Sequence, residues 1–179
     1  MKIAVFGSAN TYEGDDLYSL SYQLGKLLAE AGHTVMTGGY CGTMEAASRG
    51  AQEAGGHTIG VTSEEIEAFR PGGPNAWVRE VIPSATLGDR IAILTRQADA
   101  FIALPGGVGT LVEVAMSYNL IAIGAIRVRH LIVIGEGWKQ TFEAFFEGQN
   151  ANVNASTRAI LQFAADAESA VDLLQQEKE

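Results

Sequence analysis

Residues 105–113 lead an apolar strand through a glycine-rich turn into a helix that we predict over residues 110–122. Three glycines in this turn carry no Cβ, so its backbone N–H groups can close around a small anion. The positive end of the helix dipole points to the same place, and Thr110 is the expected N-cap. The turn therefore predicts a phosphate site that needs no Lys or Arg. Its candidate binding residues are Gly106, Gly107, Val108, Gly109 and Thr110.

Two further turns follow other apolar strands in the same way. Residues 38–43 form a near copy of the first turn, with a double glycine and then Gly-Thr before a helix, and a shorter turn follows residues 2–6. Neither glycine-rich loop has the spacing of a dinucleotide site or a P-loop, which disfavours hydride transfer and NTP hydrolysis. Alternatively, these glycines only permit tight turns. The candidate nucleotide-binding residues here are Gly7, Ser8, Gly38, Gly39, Gly42 and Thr43.

Apolar strands alternate with helices along the whole chain. Strands are predicted at residues 2–6, 33–37, 57–61, 78–82, 100–104, 130–134 and 160–164, and helices at 16–31, 44–54, 84–97, 110–122, 138–147 and 166–175. Continuous apolar strands indicate a parallel sheet that is covered on both faces. We therefore expect an α/β, doubly wound, Rossmann-like fold in which the sheet lies between two layers of helices, as a three-layer α/β/α sandwich. Residues 1–179 should form a single nucleotide-binding domain.

Ligands of such folds bind at the carboxyl ends of the strands, where all three glycine turns fall. The histidines, His33, His57 and His130, lie at strand starts on the opposite edge, which favours structural roles over catalysis or metal binding. Residues 62–77 are polar and contain Pro-Gly-Gly-Pro, so we predict no regular structure there. This segment is either a surface excursion or a flap over the site.

Composition excludes several classes of function. The net charge of −9 argues against nucleic acid as a partner, since binding a polyanion needs a basic face. The apolar runs are too short for a membrane span. One cysteine, Cys41, allows no intrachain disulfide and, with no clustered ligands elsewhere, no metal site. We expect a cytoplasmic protein without a cofactor, and we interpret Cys41 as a small loop residue and Trp138 as a core residue.

Glu113 is the single charge on an otherwise apolar helix, which we expect to be buried. It stands three residues after Thr110, so it either caps the helix or places a catalytic carboxylate beside a bound phosphate. Helical periodicity directs Arg90 towards the interior and Arg96 towards solvent. Arg90 is thus a candidate partner of Glu113, with a snorkelling side chain or a structural ion pair as the alternative.

The motif at residues 105–113 resembles the P-G-G-x-G-T-x-x-E motif of the Lonely Guy (LOG) family of cytokinin riboside 5′-monophosphate phosphoribohydrolases. Arg90 stands 15 residues before Pro105, where that family carries its catalytic arginine. The resemblance, over residues 2–145, implies a homodimer that cleaves nucleoside 5′-monophosphates to a free base and ribose 5-phosphate. It implies that Arg90 and Glu113 are the catalytic pair and that residues 106–110 bind the phosphate.

The sequence departs from the plant-type members of that family in two places. Val112 stands where they carry a second glutamate, and the residues on both sides of Arg90 differ. These departures favour AMP or another purine nucleotide over a cytokinin as the substrate. The alternative is a nucleotide-binding protein without turnover or, with glycines that serve only as turns, an interaction module. The apolar helix that contains Glu113 predicts a homodimer, unless the fold itself covers that helix.

Overall fold

The computed structural model describes residues 1–176, which contain seven strands and eight helices; strands and helices alternate except that α6 and α7 are consecutive. Their order is β1 (Lys2–Phe6), α1 (Asp16–Glu30), β2 (Thr34–Thr37), α2 (Thr43–Glu53), β3 (Thr58–Ser63), α3 (Glu64–Phe69), β4 (Glu80–Ser84), α4 (Leu87–Gln97), β5 (Ala100–Ala103), α5 (Val108–Ala122), β6 (Leu131–Ile134), α6 (Glu136–Gly148), α7 (Ala155–Arg158), β7 (Leu161–Ala164) and α8 (Ala167–Gln175). All seven predicted strands are present, each within about two residues of its expected position. Residues 177–179 of the predicted domain lie outside the described part of the chain.

The strands form one parallel sheet in the order β4-β3-β2-β1-β5-β6-β7. The order reverses between β1 and β5, which pair directly, with Phe6 opposite Ala103 at their carboxyl ends. Such a switch point opens a crevice at the carboxyl edge, because the connections leave in opposite directions. The doubly wound, Rossmann-like prediction is confirmed.

Alternation along the strands supplies both faces of the sheet with apolar side chains. On β1, Ile3 and Val5 pack against α1, α2 and α8, whereas Ala4 and Phe6 face the opposite core. That second core includes Leu94 of α4 and a group of aromatic side chains on α5 and α6, which are Tyr118, Trp138, Phe142 and Phe146. The fold therefore has the three expected layers.

The segment 62–77 contains a helix, so the prediction that it lacks regular structure is wrong. Helix α3 begins after Ser63 and places three glutamates in its first turns. Negative charge near a helix N-terminus is favourable because it is attracted to the positive end of the helix dipole. The run is only six residues long and is followed by Pro71, which concealed its periodicity.

Helix α5 differs from its prediction at its start and in its burial. It begins at Val108 with Gly107 as the N-cap, so the assignment of Thr110 as N-cap is wrong. Glycine is among the residues preferred as an N-cap, because its backbone readily adopts the non-helical conformation of that position. Thr110 then lies in the first turn and is buried.

The apolar side of α5 is exposed, so this chain alone does not bury the helix as its apolar sequence predicted. Its buried side includes Thr110, Glu113 and Ser117, whereas large apolar side chains face outward. These exposed residues are Val108, Leu111, Val112 and Met116, with Ile123 just after the helix. The helix packs mainly on α4, β1, β5 and β6, and this leaves its other side without a covering layer.

Within residues 1–176, no helix is long and apolar enough to cross a membrane.

Candidate functional site

A cavity of about 590 Å³ opens at the carboxyl edge of the sheet, beside the switch point. This volume lies within the range of small-molecule sites. Eight of the predicted site residues line it, namely Gly7, Ser8, Gly38, Arg90, Gly107, Gly109, Thr110 and Glu113. The other five do not line the cavity, namely Gly39, Gly42, Thr43, Gly106 and Val108.

Arg90 and Glu113 meet at the bottom of this cavity. The Arg90 Nη1 atom lies 3.5 Å from Oε1 of Glu113, and both side chains are largely buried. Arg90 also donates through Nε to the Val61 carbonyl at 2.8 Å and contacts Met44 Sδ at 3.7 Å. Its Cζ atom lies 5.6 Å from the ring centroid of Tyr40. The guanidinium is therefore fixed in place before any ligand binds.

Gly38 makes room for that guanidinium. A Cβ added at Gly38 would overlap the Nη2 atom of Arg90 and would lie 2.7 Å from Met44 Sδ. No side chain at this position is compatible with Arg90 in its observed place. The absence of a side chain at Gly38 is thus required by Arg90 on α4, in addition to any role of Gly38 in the turn.

Burial perturbs the ionisation of both partners. Desolvation raises the pKa of Glu113 to about 7, against the opposing effect of the Arg90 guanidinium. Burial also lowers the pKa of Arg90, although Glu113 and Tyr40 counteract this effect. Near neutral pH, Glu113 therefore populates both the carboxylate and the carboxylic acid, as a group that must accept and return a proton should.

The N-terminus of α5 also lines the cavity, through Gly107, Gly109 and Thr110. The amides of Val108, Gly109 and Thr110 belong to the first turn, where no helix carbonyl is available to accept from them. A Cβ at Gly107 or Gly109 would meet no atom within 4 Å, so both positions face open space. The helix dipole favours negative charge at such an N-terminus.

Glu113 does not close a capping box with Thr110 in the described part of the chain. The helix starts two residues earlier than predicted, and the Glu113 carboxylate pairs with Arg90 instead. Of the two alternatives for this residue, the geometry therefore favours a carboxylate inside the cavity. Arg96 on the same helix as Arg90 is exposed, as its helical position indicated.

Hydrogen bonds connect the turns that follow β1 and β2. The Ser8 carbonyl accepts from the Thr43 amide at 2.9 Å and from the Thr43 hydroxyl at 3.1 Å, and the Ser8 amide donates to Pro105. Gly42 has a φ of +72°, and a Cβ there would overlap the Ser8 carbonyl oxygen. Gly42 and Thr43 thus hold the β1 turn against the β2 turn.

Of the two alternatives for residues 62–77, the structure favours a segment that covers the site, because it forms most of a wall that closes the cavity beyond β2. The sequence alone did not identify the individual residues of this wall. Its residues include Tyr40, Ile66, Phe69, Arg70 and Asn75. Tyr40 follows the double glycine of the β2 turn, and an aromatic residue in such a turn is itself a signal. Glu45 on the first turn of α2 also lines the cavity and was overlooked.

The remaining candidates lie where the sequence placed them. His57 contacts Glu80 and His130 contacts Gln162, and neither residue nor His33 lines the cavity. The Trp138 indole donates to the Leu104 carbonyl at 2.9 Å within the core, which confirms its structural interpretation. Within residues 1–176, no group of three His, Cys, Asp or Glu side chains is arranged to hold a metal ion.

Known proteins are similar to this chain over much of its length. A model of the SLOG cluster4 family matches residues 1–158. A probable cytokinin riboside 5′-monophosphate phosphoribohydrolase of Oryza sativa subsp. japonica is 31% identical over 180 residues, covering 98% of this chain and 78% of that protein. The cytokinin riboside 5′-monophosphate phosphoribohydrolase of Mycobacterium tuberculosis is 35% identical over 112 residues, covering 62% of this chain and 58% of that protein.

Solved structures share the whole architecture. The molybdenum cofactor carrier protein of Chlamydomonas reinhardtii superposes with a TM-score of 0.73 and 30% identity, covering 98% of this chain and 96% of that one. The named relatives confirm the resemblance to the Lonely Guy proteins. Because the family model spans most of its length, this chain belongs to the SLOG cluster4 family.

Proposed function

We propose that this protein hydrolyses the N-glycosidic bond of a nucleoside 5′-monophosphate, AMP or a related purine or cytokinin nucleotide, to the free base and ribose 5-phosphate. The observation that carries the proposal is the buried Arg90–Glu113 pair, which lies in the same cavity as the free amides of α5. Relatives named as phosphoribohydrolases supply the reaction class. The chain acts as one nucleotide-binding domain in this proposal.

The 5′-phosphate binds at the N-terminus of α5, between the β5 turn and the turns after β1 and β2. The helix dipole and the first-turn amides compensate its charge without a basic side chain. The Thr110 hydroxyl, buried beside Gly106, is a further donor. We assign binding roles to Gly7, Ser8, Gly38, Gly39, Gly42, Thr43, Gly106, Gly107, Val108, Gly109 and Thr110.

Cleavage builds positive charge on the ribose. The C1′–N bond breaks with its electron pair going to the base, a water oxygen bonds to C1′, and one water proton ends on the base. Glu113 as a carboxylate stabilises the oxocarbenium-like sugar and can relay the water proton, because its pKa lies near 7. Arg90 orients the substrate and keeps Glu113 in position.

Chromatography of free base after incubation with a panel of nucleoside 5′-monophosphates tests this proposal. The wild-type protein should release base from at least one purine monophosphate, and Glu113→Gln should lower that rate at least about 100-fold. Exposed Arg96→Gln, on the same helix as Arg90, serves as the matched control and should retain activity. Release that is unchanged in Glu113→Gln would refute the assigned role.

A nucleotide-binding protein without turnover is the second candidate. The molybdenum cofactor carrier protein of Chlamydomonas reinhardtii matches 98% of this chain at 30% identity, and that protein is named as a carrier. Tight binding of AMP in calorimetry by a wild-type protein that releases no base would favour this candidate. Measurable turnover would exclude it.

We also propose that the protein is a homodimer through the exposed side of α5. Leu111, Val112 and Met116 are each more than 40% exposed on this helix, and Ile123 extends the apolar surface. An apolar helix face of this kind commonly marks a contact between subunits. Light scattering should give twice the monomer mass of 19.0 kDa. A mass of one chain would refute the dimer.

A further inference from the structure

We propose that Phe69 is the base-stacking residue of this site and selects ligands that carry a planar nucleobase. The inference rests on the proposed nucleotide function and adds a determinant of substrate recognition. Phe69 ends α3 and lines the cavity, yet 81% of its surface is exposed. A large aromatic side chain so exposed at the mouth of a cavity lacks a packing partner that its own fold could supply.

The strand order separates the proposed phosphate site from α3 and so indicates the direction in which the base would extend. The phosphate site follows β5, and α3 follows β3, with β1 and β2 between these two strands. At a spacing of about 4.8 Å between neighbouring strands, these two ends of the cavity are separated by roughly 14 Å. A nucleotide whose phosphate lies at α5 therefore extends its base towards α3.

The catalytic pair lies between these ends. Glu113 is on α5, one turn from the phosphate site, and Arg90 reaches the carbonyl of Val61 on β3 and the backbone of Gly38 after β2. The pair therefore lies along the middle of the cavity, where the ribose and its glycosidic bond would be. The base then projects beyond Arg90 towards Phe69.

The segment that carries Phe69 is anchored at both ends to the β2 turn, so the ring has a defined position. We call residues 66–75 the strap. At its start, the Tyr40 hydroxyl donates to Glu67 and to the Ser63 carbonyl and accepts from the Ser63 amide at 2.7 Å. At its end, the Asn75 side-chain amide donates to the carbonyls of Gly39 and Tyr40, at 3.0 and 2.8 Å.

Between these anchors the strap turns at two glycines that no other atom crowds. Gly72 and Gly73 have φ values of +152° and +66°, and a Cβ at either position would meet nothing within 4 Å. The Arg70 guanidinium lies over one face of the Phe69 ring, 6.0 Å from its centroid, and a base would stack on the other face. Aromatic stacking tolerates different bases because every base has a π-face.

Binding measurements with two ligands test the inference. AMP and ribose 5-phosphate are titrated by calorimetry into Glu113→Gln protein, in which slow turnover keeps AMP intact. Adding Phe69→Ala should weaken AMP binding about 5- to 100-fold, as alanine substitution does at stacked bases, and should leave ribose 5-phosphate binding unchanged. Phe69→Trp should retain AMP binding, because it keeps an aromatic face.

The matched control is Phe163→Ala, which removes an exposed phenylalanine on β7, outside the cavity, and should change neither affinity. An equal loss for both ligands, or no loss for AMP, would overturn the role of Phe69 while leaving the proposed function intact. Failure of the parent protein to bind either ligand would overturn both. A selective loss of AMP binding supports Phe69 even if wild-type protein releases no base.

Discussion

Replacing Glu113 with glutamine should change how the stability of this protein depends on pH. Burial raises the pKa of Glu113 from its usual 4.5 to about 7 in the folded chain, so folding favours the protonated form. Its contribution to stability is fully present below about pH 4.5 and is lost as pH rises through 7. The glutamine variant has no proton to lose and lacks this dependence.

The size of the effect follows from the shift. At 1.36 kcal/mol per pKa unit, the wild-type protein should lose roughly 3 kcal/mol relative to Glu113→Gln between pH 4.5 and pH 8. This free-energy difference already includes the attraction of Arg90, whose guanidinium counteracts the rise in the pKa of Glu113. Any constant offset, such as the loss of a counter-charge beside Arg90, does not alter the slope.

Urea denaturation of both proteins at closely spaced pH values measures the difference directly. The free energy of unfolding of the variant minus that of the wild type should increase with pH, with most of the change between pH 4.5 and 7. A difference that stays constant would show that Glu113 ionises normally. A difference that decreases would show a pKa below the usual value and would contradict the assigned environment.

Three further substitutions test Gly38, the Tyr40 anchor and the proposed dimer contact. Gly38→Ala should displace Arg90 and lower turnover at least about tenfold, whereas Gly137→Ala, where a Cβ meets open space, should be neutral in the same assay. Tyr40→Phe removes the hydroxyl that the Ser63 amide donates to, which should cost about 1–3 kcal/mol of unfolding free energy in urea; no loss would contradict this anchor. Met116→Glu should convert the proposed dimer to monomers in light scattering, and an unchanged dimer would place the interface elsewhere.

The parallel sheet was predictable because apolar strands and glycine turns alternate in a regular order. Local patterns also directed Arg90 inward, since its position on α4 borders the apolar stripe of that helix. Both inferences needed only the period of the element and the direction of the strands. The tertiary structure adds how far the Arg90 side chain reaches, as far as Gly38 and Val61.

Other features had no local signal. The apolar residues of α5 predicted burial, but composition does not distinguish cover by the fold from cover by a second chain. Helix α3 was too short to show a period, so Phe69 was missed together with its helix. The sequence near Gly38 also did not show why this position excludes a side chain. The cause is Arg90, which stands 52 positions later in the sequence and occupies the space of a Cβ.

The products formed from a nucleoside 5′-monophosphate and from the matching nucleoside test the proposed reaction most directly. Wild-type protein incubated with AMP should form adenine and ribose 5-phosphate in equal amounts, and the rate with adenosine should be far lower because the α5 site then holds no phosphate. Equal rates with AMP and adenosine would contradict the phosphate site. Release of inorganic phosphate with an intact adenosine product would contradict cleavage at the glycosidic bond.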